Sequence, residues 1–243
     1  MSAGNGTRSL ANTLAWAGDG AAHLRGLMTR MGNDAFAAPS ALPGWSRAHV
    51  LSHIARNADG MINLLTWART GVPTPAYASA EQRDADIEVG AARTPSEIRD
   101  DVVSSSDRLA QVVRKMPREA WSAQVRNVQG QEIPATDIPW IRAREMWVHA
   151  VDLDVGASFA DLPAPMLAEL LTEVATTMGA KADCPSLRLV APDGTWTVGD
   201  AENAITVSGP APELLEWLLG RGKGRALRSS TEGRKLPVLP RWL

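Results

Sequence analysis

The stretch Asp137-Ile138-Pro139-Trp140-Ile141-Arg142-Ala143-Arg144-Glu145-Met146-Trp147-Val148-His149-Ala150-Val151-Asp152 reads as a helix that continues to about Val155-Gly156. Asp137 stands at its cap, and Pro139 falls in the first turn, where a backbone N–H would have no partner inside the helix. Glu145 and His149 are four residues apart, so their side chains stack on one face, about 5–6 Å apart at Cβ. A second helix, read from about Arg47 to Arg69, carries His49 and His53 at the same spacing. Metal sites in helical bundles are assembled from inward-facing side chains on neighbouring helices. These two helices therefore predict a bundle organised around a ligand set of His53, Glu145 and His149. His49 sits near its helix start, where a solvated histidine is unremarkable, and ranks below His53.

The rest of the chain is read outward from this pair. Leu10, Leu14, Ala17, Ala21, Leu24 and Leu27-Met28 have helical spacing, weakened by Gly18 and Gly20. Pro39, Pro43 and Gly44 form a loop, after which Trp45-Ser46 reads as staple and N-cap of the second helix. Thr94-Pro95-Ser96-Glu97 is a capping box with proline in the first turn, opening a helix to about Met116. Residues 121–136 read as extended chain around a turn. These are four long helices with long connections. After Gly156 the pattern changes to a helix over Pro163–Ala180, short alternating runs at 186–191, 195–199 and 204–208, and a closing helix from Pro210 to Leu219. Pro192-Asp193-Gly194 marks a hairpin between the first two runs. The expectation is a mainly α chain: residues 1–157 as a metal-binding four-helix bundle, residues 158–243 as a small α+β domain.

Composition sets limits on function. The 243 residues are 44% hydrophobic and 21% charged, with a net charge of -2, which offers no general attraction to nucleic acid or anionic lipid. No apolar run approaches the roughly 20 residues that span a bilayer. Met1 to Thr7 lacks a charged-then-apolar leader pattern, so the expected location is cytoplasmic. The single cysteine, Cys184, excludes an intramolecular disulfide and a thiolate metal cluster. Imidazole plus carboxylate suits zinc, and three protein ligands leave a position open for water or substrate. Asp152, three residues beyond His149, is placed to orient that imidazole. His23 has no partner at ligand spacing and reads as a histidine on a helix face.

Leu42-Pro43-Gly44-Trp45-Ser46-Arg47-Ala48-His49-Val50-Leu51-Ser52-His53 resembles the lead into the second helix of DinB-like metal proteins, with the metal histidine falling at His53. Arg144 through Asp152 is similar to the matching fourth-helix motif, with ligands at Glu145 and His149. Leu214-Leu215-Glu216-Trp217-Leu218-Leu219-Gly220-Arg221 is similar to the C-terminal signature of the family's mycothiol-using branch, the maleylpyruvate isomerases. The resemblance implies a DinB-like bundle and mycothiol as cofactor. It implies cis–trans isomerisation of maleylpyruvate to fumarylpyruvate, in aromatic-acid breakdown downstream of gentisate ring cleavage.

That reaction makes chemical sense of the residues. Rotation about C=C requires the bond to become single for a moment: a thiolate adds to the alkene, the ketone stores the charge as an enolate, and the thiolate leaves after rotation. Cys184, before Pro185 at a strand edge, has no histidine or arginine beside it in sequence and reads as a packing residue, so an external thiol fits. Full ionisation of a thiol that is already roughly 3% thiolate at pH 7 gives at most about 30-fold, so positioning and charge stabilisation must supply the rest. The small-molecule substrate is a dicarboxylate, for which guanidinium forks are the natural clamps. Arg221 is the first candidate and Arg83 the second. Asn57, one turn after His53, and Arg142, three residues before Glu145, are candidates for cofactor contact. Two other functions stay open on the same residues: a mycothiol S-transferase, and a non-enzymatic metal or thiol sensor.

Overall fold

The computed structural model describes residues 8–242 except 232 and 234, so Met1–Thr7, read above for a leader, lies outside the described residues. The chain forms two compact units, Arg8–Ala157 and a second that begins at Ser158.

The first unit is built on four long helices, α1 (Leu10–Arg30), α2 (Arg47–Thr70), α4 (Pro95–Arg114) and α5 (Ile138–Asp152), with a shorter α3 (Ala80–Ala91). The local signals act as the sequence suggests at two starts. At α4, Thr94 and Glu97 satisfy each other's backbone N–H groups at 2.9 and 3.3 Å. At α2, Ser46 caps the helix, and the reciprocal partner is His49, whose Nδ1 accepts from the Ser46 N–H at 3.2 Å. Gly71, at φ 73°, closes α2 in the left-handed conformation that glycine adopts without a Cβ clash. A two-stranded hairpin, β1 (Gln124–Arg126) with β2 (Glu132–Pro134), precedes α5.

Three sequence expectations need correction. The connection carrying Arg83 contains helix α3, which hydrophobic periodicity missed because only Ile87 and Gly90 of its residues are buried. Asp137 occupies the cap position of α5 but makes no side-chain capping bond. And α5 stops at Asp152 rather than near Gly156: Asp154 takes a φ of 53°, while Arg47 bonds the Leu153 and Asp154 carbonyls at 2.7 and 2.8 Å. The end of α5 is thereby tied to the start of α2.

In the bundle α1 packs on α5, α5 on α2 and α2 on α4, while the contact between α1 and α4 is slight. Two apolar clusters fill it. One gathers Leu24, Leu27, Leu51, Ile54, Ile98, Val102, Met146 and Leu153, and the other gathers Met61, Leu64, Leu65, Leu109, Trp121 and Ile138. Along α2 the first cluster ends at Ala55 and the second begins at Ala58. Asn57 falls at that seam, and on α5 so do Arg142 and Glu145.

The second unit packs α6 (Ala164–Gly179) and α7 (Ala211–Leu218) on a four-stranded sheet ordered β4-β3-β5-β6. Strands β3 (Leu187–Ala191) and β4 (Gly194–Val198) form the hairpin around Pro192-Asp193. Strand β5 (Ile205–Ser208) runs parallel to β3. The two-residue β6 (Arg228–Ser229) is too short to leave a periodic trace in sequence. Among the described residues no helix is long and apolar enough to cross a membrane.

Gly20 has a steric duty. A Cβ there would lie 2.9 Å from both Met146 Cβ and Trp147 Nε1 on α5, and Trp147 Nε1 also donates to the Trp16 carbonyl at 3.0 Å. We expect Gly20→Ala to destabilise the protein by about 1–3 kcal/mol despite alanine's better helix propensity. The midpoint of urea unfolding measures this, and an unchanged or raised midpoint would show that α1 and α5 tolerate the methyl group.

Candidate metal centre

Helix α2 contributes His53 and helix α5 contributes Glu145 and His149. One ligand atom from each lies within 4.8 Å of the others, a group able to hold a metal ion. His53 Nε2 is 2.9 Å from Glu145 Oε2, and His149 Nε2 is 3.4 Å from the same oxygen. The two imidazoles meet edge to face, ring centroids 4.7 Å apart, and Trp45 lies tilted against His53 at 5.7 Å. Imidazole nitrogens and a carboxylate oxygen converging on one point are the donor set of a borderline divalent ion such as zinc.

The surroundings order these side chains. Asp152, fully buried, lies 2.9 Å from His149 Nδ1, so that nitrogen donates to it and Nε2 is turned toward Glu145. On the other side, Arg83 Nη2 lies 3.2 Å from His53 Nδ1. An arginine can only donate, so Nδ1 accepts here, and Nε2 carries the proton given to Glu145. Arg83 also bonds Asp84 at 2.7 Å and lies over the Tyr77 ring at 5.8 Å.

Electrostatics follow from burial plus these partners. Burial opposes the charge on Glu145, yet hydrogen bonds from His149 and His53 hold its carboxyl well below the usual range. Burial likewise opposes a charged His149, but the bonds to Asp152 and Glu145 outweigh it and lift that imidazole to about 9. For His53, burial dominates and lowers the pKa, with the neighbouring His149 and Arg83 adding to the effect and Glu145 opposing it.

The remaining candidates are placed as follows. Arg142 and Asn57 meet each other: Arg142 Nη1 donates to Asn57 Oδ1 and to the Ile54 carbonyl, both at 2.8 Å, and Nη2 donates to Ser106 Oγ at 3.2 Å. Burial pushes the Arg142 pKa down to about 10, so it is still a cation at neutral pH. Arg221 lies in the second unit after α7, where Gly220 turns the chain at φ 70° and Arg221 Nη1 donates to the Leu219 carbonyl at 2.8 Å. His49 serves the α2 cap and bonds Glu88 at 3.3 Å. His23 stacks on Trp147 at 5.0 Å. Cys184 is partly exposed in the second unit, and burial together with Asp183 raises its pKa, which disfavours the thiolate.

Sequence reasoning missed Tyr77. The chain's one tyrosine sits beside Gly60, where a Cβ would meet its ring at 3.3 Å. Burial raises its pKa, and the Glu145 carboxylate adds to this, so the phenol stays protonated beside the site. Its only sequence signal was an aromatic residue inside a proline-rich connection.

Fold and site together define a helical-bundle protein of the DinB-like kind, with a ligand set suited to a divalent metal. Residues 17–154 match the family model described as the mycothiol maleylpyruvate isomerase N-terminal domain, and residues 161–241 match the MDMPI C-terminal domain. The structure is similar to a crystal structure of the mycothiol-dependent maleylpyruvate isomerase, with a TM-score of 0.90 and 32% identity over 96% of this chain and 97% of the other. A crystal structure of a histidine-to-alanine mutant of a mycothiol-dependent maleylpyruvate isomerase matches with a TM-score of 0.89, at the same identity and coverage. No curated protein matches the chain. The chain belongs to the mycothiol-dependent maleylpyruvate isomerase family.

A ligand imidazole must give up the proton on its coordinating nitrogen. His149 keeps that proton up to about pH 9 in the metal-free site. Apparent zinc affinity should therefore rise about tenfold per pH unit between pH 7 and about 9, then level off. Competition with a chelator of known pH dependence measures it. A flat profile over that range would mean His149 is already neutral or is not a ligand.

Proposed function

We propose that this protein catalyses the mycothiol-dependent cis–trans isomerisation of maleylpyruvate to fumarylpyruvate, with zinc held by His53, Glu145 and His149. The observation that carries the reading is the close convergence of those three ligands, with buried Asp152 behind His149, in a chain whose relatives are named for this reaction. The comparisons support the reaction; the donor set supports zinc.

The metal and the thiol, when bound, would supply an ionised sulfur nucleophile that adds to the alkene and is later expelled. The protein's part is to hold everything else. Asp152 fixes the tautomer and direction of His149. With Nε2 of His53 engaged as a ligand, the ring proton must sit on Nδ1, and Arg83 loses its acceptor there. Its guanidinium then has N–H groups for an anionic oxygen, which supports Arg83 as a carboxylate clamp. Arg221 is assigned to a substrate carboxylate on its chemistry and on the Gly-Arg signature. Arg142 braces the Ile54 carbonyl and the Asn57 side chain on α2 behind His53 and adds positive charge near Glu145. In this assignment residues 1–157 form the metal-binding domain and residues 158–243 supply Arg221. An external thiol fits this chain, because burial and Asp183 raise the Cys184 pKa and disfavour its thiolate.

The direct test follows the ultraviolet absorbance of maleylpyruvate with metal-loaded protein, with and without mycothiol. Thiol-dependent conversion is expected. No conversion would move the function to S-transfer or to sensing on the same fold.

Residue roles separate by metal content. Glu145→Ala and His53→Ala should each lose bound metal and turnover together. Arg221→Ala should keep stoichiometric metal while turnover falls by about 10²-fold or more, the scale of losing one charge-stabilising donor. Wild-type turnover in Arg221→Ala would remove that arginine from the reaction, and retained zinc with retained turnover in Glu145→Ala would remove the site.

A further inference from the structure

The slight contact between α1 and α4 leaves a cleft of about 240 Å³ over the second apolar cluster. It exists because the facing positions are small: Ala17, Gly18 and Ala21 on α1 and Ala110 on α4. A Cβ built on Gly18 meets nothing within 4 Å. Leu14, Leu109 and Val113 supply apolar walls, and none of the three candidate metal ligands lines the space.

Arg142 and Ser106 also line it. Arg142 is only 4% exposed, and among the described residues no carboxylate lies within ion-pair distance of it. The acids nearest in influence, Glu145 and Asp59, are already taken. Glu145 is engaged by His53 and His149, and Asp59 by Arg56 and Arg108 at 3.2 and 2.8 Å. The hydrogen bonds of Arg142 go to the neutral oxygens of Ile54, Asn57 and Ser106, and use three of its five N–H groups. A buried guanidinium without a carboxylate partner is an incomplete ion pair, and a counter-anion would relieve its desolvation. Arg114, exposed at the rim, adds positive charge on the way in.

We propose that this cleft binds a compact amphipathic monocarboxylate, an aromatic or medium-chain acid, with its carboxylate on Arg142 and Ser106 and its apolar body between Leu14, Leu109 and Val113. The volume is adequate: engineered apolar cavities of about 150 Å³ hold benzene. A dicarboxylate is disfavoured, because its second charge would lie against apolar walls. The site is distinct from the reaction centre but one side chain away from it. Arg142 holds Asn57, one turn after His53, and stands one turn before Glu145 on α5.

Benzoate is the probe, titrated by calorimetry into the metal-loaded wild-type protein without substrate or thiol. Saturable binding is expected, at least about tenfold tighter than for the neutral isostere benzamide. Gly18→Leu should fill the cleft and weaken benzoate at least about tenfold, with bound metal unchanged. Ala110→Leu, from the opposite wall, gives the same reading should the first variant not fold. Undiminished benzoate binding in the filled variants would overturn the site. So would benzamide binding as tightly as benzoate, or no saturation by about 10 mM. None of these outcomes bears on the isomerase reading, which is scored by maleylpyruvate turnover.

Discussion

The structure depends on one hydrogen-bonded chain of polar side chains: Asp152, His149, Glu145, His53 and Arg83, linked at 2.9, 3.4, 2.9 and 3.2 Å. Each acid in it faces a base, so groups that would be costly to bury singly are stabilised by their neighbours. Two of the links lie within α5, at spacings of three and four residues, and are set by helix geometry alone. The other two cross to α2 and α3 and require tertiary packing. The helix starts, the tie from Arg47 to the end of α5 and the close approach at Gly20 all fix where α5 lies, and with it three members of the chain.

Around this line the bundle interior is divided. The two apolar clusters lie above and below a polar level, where Arg142 reaches from α5 to the Ile54 carbonyl and Asn57 on α2 and to Ser106 on α4. Three helices thus share one bonded level. Sliding α5 along its axis by a turn would leave the guanidinium buried without acceptors, a far larger penalty than repacking leucines. The same arginine meets the cleft where α1 and α4 stand apart. The residues that keep the cleft open are small ones, which weaken helix packing without breaking helix geometry.

Much of this was legible in the sequence because it is local. The capping box of Thr94 and Glu97, the i, i+4 pair of Glu145 and His149, the Asp152 offset and the Pro192-Asp193-Gly194 turn each act within a few residues. What was illegible is what depends on partners distant in the chain. Helix α3 has almost no apolar stripe, since only Ile87 and Gly90 face inward, and nothing in periodicity marks it. Tyr77 reaches the site through a loop whose path no local rule sets. Spacing placed Asn57 and Arg142 near the ligands, but that they would bond each other depends on the α2–α5 crossing. By helix propensity alone Gly18 and Gly20 are alike, weak points of one helix. The structure separates them, one opening a space and the other closing one.

The long span between ligands has a consequence for how the protein is made. His53 and Glu145 are 92 positions apart, and His149 follows four residues later. A growing chain that has exposed α1 through α4 displays only one of the three candidate ligands, His53. Capture of a metal ion by this set would therefore wait until α5 has left the ribosome and docked. Both apolar clusters also draw on this part of the chain, Met146 and Leu153 in one and Ile138 in the other, so they too are completed only as α5 docks, and by packing rather than by an ion. The same late step that closes the apolar interior would thus bring the three candidate ligands together.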